Sequence, residues 1–319
     1  MNRKLISGFY LFAALAVLTT VFAFNVPTAS ALPGSGTSAD PYEVSDWSDL
    51  DDIKNNLDSN FVLVNNLDSD TAGYSTYVNT SNGWDPIGSD ENRFAGNLDG
   101  QGYTINGLAI SRDTSDYIGL FGWAENGSIK NLSITNPNIS GQNRVGSLLG
   151  MGNGNLNVEN IVIESPNVDG NNSVGGLIGF TGDTYTGDEI VSCSVYGGTV
   201  TGTSDMIGGI VGYNYISTFK KCFSSASVSG NSLIGGLAGK SYSGSSIKNS
   251  YSIGNVTGDD SNGQVGGLIG GDYHFTIENC YGTGSVQNNG SGGYGGLIGE
   301  LDTSEVKNCY WDTTATGTS

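Results

Sequence analysis

The sequence is short of the residues on which most catalytic chemistry is built. It has 1 histidine, His274, and its 12 lysines and arginines show no cluster. The cationic groups that stabilise an anionic transition state are therefore missing. No GxSxG, HExxH or phosphate-binding loop occurs, and the paired glycines follow a strand register rather than opening a helix. The 31 acidic residues leave a formal net charge of −19, which excludes nucleic acid as a partner. The acid is spread thinly among Asn, Ser, Thr and Gly, as on a solubilising surface. Beyond Phe24 no stretch is apolar for long enough to cross a membrane, so no later span is expected.

What is present begins with an export signal. Arg3 and Lys4 precede an apolar run from Leu5 to Phe24, and Ala29-Ser30-Ala31 offers a small-residue cleavage site. Residues 1–31 are read as a cleaved signal peptide, the alternative being an uncleaved anchor. Pro27 and the alanine pair favour cleavage. The rest of the chain is then expected outside the cytoplasm, secreted or at the cell surface.

With 51 glycines and only 6 prolines the composition would suit a disordered chain, except that the apolar residues recur in register. YIGLFG, VGSLLG, VGGLIG, IGGIVG, IGGLAG, VGGLIG and YGGLIG end at Gly122, Gly150, Gly179, Gly212, Gly239, Gly270 and Gly299, spacings of 27 to 33 residues. A second anchor follows each by 10 to 14 residues, centred on Leu132, Ile161, Cys193, Cys222, Ser250, Cys280 and Cys309. Length differences fall in polar loops such as Thr181 to Asp188 and Asp259 to Gly263. Each unit reads as short strands broken by glycine and Asn/Asp/Ser clusters, with no long helical period. One unit cannot bury its apolar face, but stacked units can. Leu177, Leu237, Leu268 and Leu297 then form one inward file, and Val200, Val228, Val256 and Val286 another. The expected fold is all-β, a parallel β-helix or β-solenoid of about seven to ten coils with a short N-terminal capping helix.

The pattern GGLIG…IxNCYxxGxVxG resembles the GLUG-motif repeats of large secreted and surface proteins. It is clearest at Gly266 to Val286 and Gly295 to Tyr310 and extends over roughly residues 94 to 312. The resemblance implies an adhesin-like or cell-envelope role and carries over no catalytic residue.

Residues 32–108 look different and are read as a cap and first irregular coils, with the regular solenoid over 109–319. SDWSDLDDIKNNL predicts a short amphipathic helix with Trp47, Leu50, Ile53 and Leu57 on one face and Ser45 or Ser48 as N-cap. It is expected to cover the open end of the first coil. Gly100 and Gly102 mark a turn. Tyr310-Trp311 is a candidate for closing the far end, the alternatives being a partner or another copy.

Cys193, Cys222, Cys280 and Cys309 occupy one repeat position, which argues for an inward stack rather than a metal site. Neighbours on adjacent coils, Cys193 with Cys222 and Cys280 with Cys309, also lie within disulfide range, in a strained geometry. Asn131, Asn160, Asn249, Asn279 and Asn308 share the preceding position, with Ser192 and Lys221 as exceptions. They predict a left-handed, hydrogen-bonded ladder. Sequons at Asn79, Asn126, Asn131, Asn138, Asn171, Asn255 and Asn289 permit glycan attachment. Asn131 is the poorest acceptor among them because of its ladder role. Asp259-Asp260 and Asp68 with Asp70 are candidate carboxylate pairs, and the loop Asp183 to Glu189 a weak cation site. Tyr185, Tyr213, Tyr215, Tyr242, Tyr273 and Phe275 follow the glycine-rich strand and are read either as a binding stripe or as packing between loops.

The expectation is therefore a non-enzymatic, adhesin-like surface or secreted protein that presents loops on a rigid solenoid, with glycans or cell-surface proteins as partners. A carbohydrate-active enzyme or its accessory module is the runner-up, and a structural envelope spacer the third reading. No catalytic, cofactor-binding or metal-binding residue is singled out, and no cofactor is expected.

Overall fold

Every paired strand in the computed structural model runs parallel to its neighbour one coil away, as stacked units require. The structure describes residues 32–182, 185–259 and 264–317. The expected export signal, residues 183–184 and 260–263 of the two insertion loops, and residues 318–319 lie outside them. One coil serves as the pattern. It crosses a long sheet as Glu189–Val191 and Ser194–Tyr196, then a valine sheet as Thr199–Gly202. It next crosses a short sheet as Asp205–Gly208 and an aromatic sheet as Val211–Tyr215, before Thr218–Lys220 re-enters the long sheet. The sheets have 16, 7, 6 and 7 strands in that order. The chain is thus an all-β parallel β-solenoid of about seven turns with little helix.

Register turns the repeat into a core. Val168, Val200, Val228, Val256 and Val286 pair in sequence on the valine sheet, all at most 4% exposed. The leucine file is linked by hydrogen bonds from Leu148 through Leu177, Ile210, Leu237 and Leu268 to Leu297. Near the leucine file the coil narrows until backbone meets backbone. A Cβ on Gly175, Gly208, Gly235 or Gly266 would overlap the carbonyl oxygen three residues ahead. A Cβ on Gly179, Gly212, Gly239 or Gly270 would collide with the short sheet of the preceding coil. Glycine recurs at these places because no side chain fits.

The corner within the long sheet is turned by residues in the left-handed region. Asn131, Asn160, Ser192, Lys221, Asn249, Asn279 and Asn308 all have φ between 50 and 55°. Asparagine tolerates that conformation better than most residues. Its amide also bonds along the stack, from Asn160 to Asn131, Asn279 to Asn249 and Asn308 to Asn279, each 3.1 Å. Asn131 in turn donates to Asp99 at 3.0 Å, which keeps its amide engaged.

The N-terminal end departs from the pattern. Between Tyr42–Val44 and Asn60–Leu63, consecutive strands of the long sheet, the chain crosses as a helix, α1 (Trp47–Asp52), followed by one 3-10 turn. Trp47, Leu50 and Ile53 are wholly buried, while Leu57 is only partly so. The Trp47 ring lies 5.8 Å from that of Trp84, and its Nε1 donates to the Asp68 carbonyl at 2.9 Å. The N-cap is Asp46, not Ser45 or Ser48: its carboxylate accepts from the backbone N–H groups of Ser48 and Asp49 at 2.8 and 3.0 Å. Ser45 instead donates to Asp49 from its hydroxyl and its backbone N–H. A carboxylate also answers the positive end of the helix dipole, which a serine cannot. At the other end, Tyr294, Leu301, Val306, Tyr310 and Trp311 are between 40 and 69% exposed. Tyr310 and Trp311 form an edge strand and do not bury it.

Candidate binding face

Strand alternation divides the aromatic sheet into inward and outward files. In Val211–Tyr215 the side chains of Val211 and Asn214 are buried, and Tyr213 and Tyr215 reach solvent. Stacking in register builds one outward column of Trp123, Met151, Phe180, Tyr213 and Lys240. A second column holds Tyr215, Tyr242 and Tyr273.

In the second column the rings lie nearly parallel. Tyr215 and Tyr242 have centroids 5.5 Å apart at 15°, and Tyr242 and Tyr273 are 5.1 Å apart at 17°. Tyr213 stands edge-on to Tyr215 and to Phe180, and Lys240 Nζ sits 5.5 Å from both the Tyr213 and Tyr242 rings. Towards the N-terminal coils the pattern continues with Arg144 over Tyr117 at 4.9 Å, Tyr117 against Trp123 at 4.8 Å, and Arg93 over Trp123 at 4.4 Å. Burial, and then the neighbouring phenols of Tyr215 and Tyr242, push the Tyr213 hydroxyl up to about 12. It therefore stays a hydrogen-bond donor at neutral pH.

Charge distinguishes this face. Arg93 and Arg144 each pair with a carboxylate, Glu125 and Asp116, and Lys220 with Glu189. Lys221 and Lys240 make no ion pair with a described residue, and of these two only Lys240 stands among aromatic rings. An acidic chain thus presents on its aromatic surface an ammonium group that has no ion pair among the described residues.

Of the six aromatics expected on one stripe, Tyr213, Tyr215, Tyr242 and Tyr273 come together. Phe275 does not, being 3% exposed and part of the core. His274 between them has φ of 55°, which reverses the alternation and turns Phe275 inward while Tyr273 faces out. His274 is held in that corner by Thr303, at 3.0 Å from its Nδ1. Tyr185 is 89% exposed in its loop and outside both columns.

Sequence reasoning passed over a second aromatic column on the long sheet. Phe223, Tyr251, Tyr281 and Tyr310 stack in register, with Phe223–Tyr251 at 4.5 Å and Tyr251–Tyr281 at 4.7 Å. Each follows the cysteine or serine corner directly, so the signal lay inside the NCY motif itself.

The candidate acid pairs are not assembled for chemistry. Asp68 is committed to a turn: it accepts from the Thr71 hydroxyl and from the backbone N–H groups of Asp70 and Thr71, and those bonds hold it below its usual range. Asp259 accepts from Asn289 at 2.7 Å, and Asp260 lies outside the described residues, as do Asp183 and Thr184 of the loop to Glu189. Asp188, at the end of that loop, is buried and accepts from the backbone of Leu156 and Gly182. Among the described residues no three His, Cys, Asp or Glu side chains are grouped to hold a metal ion. None of the helices described is long and apolar enough to cross a membrane.

Comparison with known proteins agrees with this architecture. Residues 230–257 match the family model described as the GLUG motif, so the chain carries that motif. A protein described as a Gly-rich membrane protein of Evansella cellulosilytica is 31% identical over 90% of this chain. Halomucin of Haloquadratum walsbyi is 35% identical over 39% of it. The chain spans only 40% of the first relative and 1% of the second. A crystal structure described as that of an immunoglobulin A1 protease from Bacteroides ovatus superposes with a TM-score of 0.55 at 17% identity, over 87% of this chain and 76% of that one. A structure described as IgA1 protease gives 0.62 at 20% identity, over 83% of this chain and 21% of that one. At these identities the solved structures share the fold.

Proposed function

We propose that this GLUG-motif chain is the binding part of an extracytoplasmic surface protein, exported by residues 1–31, and that its aromatic sheet holds a linear carbohydrate chain laid along the solenoid axis. The observation that carries the reading is the column of near-parallel tyrosines at 5.5 and 5.1 Å, one per coil. That repeat is close to the length of one pyranose ring. Rings stacked on one another along the axis turn their edges outward, so successive sugars of an extended polysaccharide each meet one tyrosine rim, which offers apolar ring edge and a hydroxyl for hydrogen bonding. Lys240 adds a positive charge between the columns, which favours a glycan carrying carboxylate or sulfate groups. The resemblance to a membrane protein and to halomucin supports a place at the cell surface.

The test is a variant in which Tyr213, Tyr242 and Tyr273 are all replaced by alanine, probed against neutral and acidic polysaccharides. All three point outward, so the far-UV circular dichroism spectrum should be unchanged. Binding should weaken by about 10-fold or more, at the ~1–3 kcal/mol typical of a lost aromatic stacking contact. A variant that binds every polysaccharide as the parent does removes the face as a site. Release of soluble sugar by the parent would replace this reading with the enzymatic one.

A further inference from the structure

Strand register places the four cysteines in two couples on adjacent coils, Cys193 beside Cys222 and Cys280 beside Cys309. Ser250 stands at the same position on the coil between the couples. Each side chain at this position takes the same course. Cys193, Cys222, Cys280 and Cys309 donate to the carbonyls two residues before them, at 3.3, 3.5, 3.2 and 3.1 Å, and Ser250 does so at 2.8 Å. Neighbouring sulfurs therefore point the same way. Parallel strands lie about 4.8 Å apart, inside the ~4.4–6.8 Å between Cα atoms that a disulfide bridges. All four cysteines are free thiols in the structure.

The couples differ in access. Cys193 and Cys222 are 0 and 1% exposed and lie between the coils of Ile161 and Ser250. Cys280 is equally buried, but Cys309 is part-exposed, on the edge strand segment whose outer side has no described neighbour. Burial raises the thiols of Cys280 and Cys309, so neither reacts quickly, and reach decides which one meets a reagent first.

We propose that Cys280 and Cys309 form a thiol–disulfide exchange site for small-molecule disulfides, with Cys309 the entry thiol and Cys280 the resolving thiol. The Cys309 sulfur, as thiolate, attacks one sulfur of the small disulfide. The S–S bond breaks, and the departing thiolate takes up the proton Cys309 gave away. Cys280 then attacks the Cys309 sulfur of the mixed disulfide and expels the second small thiol, which leaves with the Cys280 proton. Two protein thiols are oxidised and one small disulfide is reduced to two thiols, which balances the step. The bridge ties the last two coils together. The proposal is independent of the carbohydrate face.

The whole chain is incubated with oxidised glutathione, alkylated, and mapped by peptide mass spectrometry. A Cys280–Cys309 bridge is expected, with Cys193 and Cys222 alkylated only after unfolding. In C280S the reaction should stop at a Cys309–glutathione adduct. Serine is native at this position in Ser250, so that variant keeps its fold. Four alkylated thiols in the treated parent overturn the proposal. So does a Cys309 adduct that persists equally in parent and C280S, or bridging of Cys193 to Cys222 at the same rate.

Discussion

Lys221 occupies a corner that five of the seven coils give to asparagine and the coil before it to Ser192. Its φ of 55° is the left-handed conformation, and its side chain breaks a ladder of amides that resumes at Asn249. A β-carbon in that region costs roughly 1–2 kcal/mol, which asparagine reduces by bonding locally. K221N should therefore stabilise the chain by about 1 kcal/mol, adding an amide acceptor for Asn249. The measurement is a urea titration, with the midpoint expected to rise and the slope to stay the same. An unchanged midpoint would mean that the corner is set by its strands alone. The left-handed geometry of this position was legible because five of the seven units show asparagine at one place. The course of the cysteine thiols was not legible, since no sequence pattern reveals which carbonyl a buried thiol will meet.

At the level of elements, α1 is a helix whose removal exposes the core. Asp46 accepts two of its free N–H groups, and D46A should cost about 1 kcal/mol without provoking aggregation. Trp47 fills the end of the stack against Trp84 and Tyr74. W47A should cost about 3–5 kcal/mol and unseat the helix, baring the edge of Tyr42–Val44. Thermal melting with light scattering separates the two, with early aggregation expected only for W47A. The helix and its buried face could be read from Trp47, Leu50 and Ile53 because a 3.6-residue period leaves few alternatives. Its cap could not, because Ser45, Asp46 and Ser48 are all good N-caps and only the path of the chain decides among them. Phe275 was misread for a related reason: the left-handed corner that His274 shares with Asn126, Ile216, Ser243 and Thr303 turns the chain inward, and these positions have no residue type in common that would reveal it.

For the molecule as a whole, a coil packs chiefly on its two neighbours, so stability is close to a sum along the stack. Deleting residues 231–258, which make one complete coil, lets Val228 face Val286 and Val211 face Ile269. The shortened chain should keep its β-type circular dichroism spectrum and melt only modestly earlier. Deleting 231–244 removes part of a coil, throws every later file out of register, and should yield an aggregate. Size-exclusion chromatography of the two deletions gives the answer. The long files of leucine and valine were readable at this scale because stacking repeats them. The irregular coil over residues 64–96 was not, since it meets its neighbours mainly through single bridges such as Ile87 with Phe121 and Phe94 with Ala124.

The backbone contact at the narrow side of each coil also governs how such sequences diverge. Where a glycine lies against another strand, no substitution is tolerated, and each inward file needs only an apolar or small side chain that fills its layer. Outward columns and loops carry no such demand. Over generations they can drift, or be recruited for a new ligand, while the scaffold keeps its path. Two proteins of this architecture can therefore share 17 or 20% of their residues and still superpose over more than four-fifths of this chain.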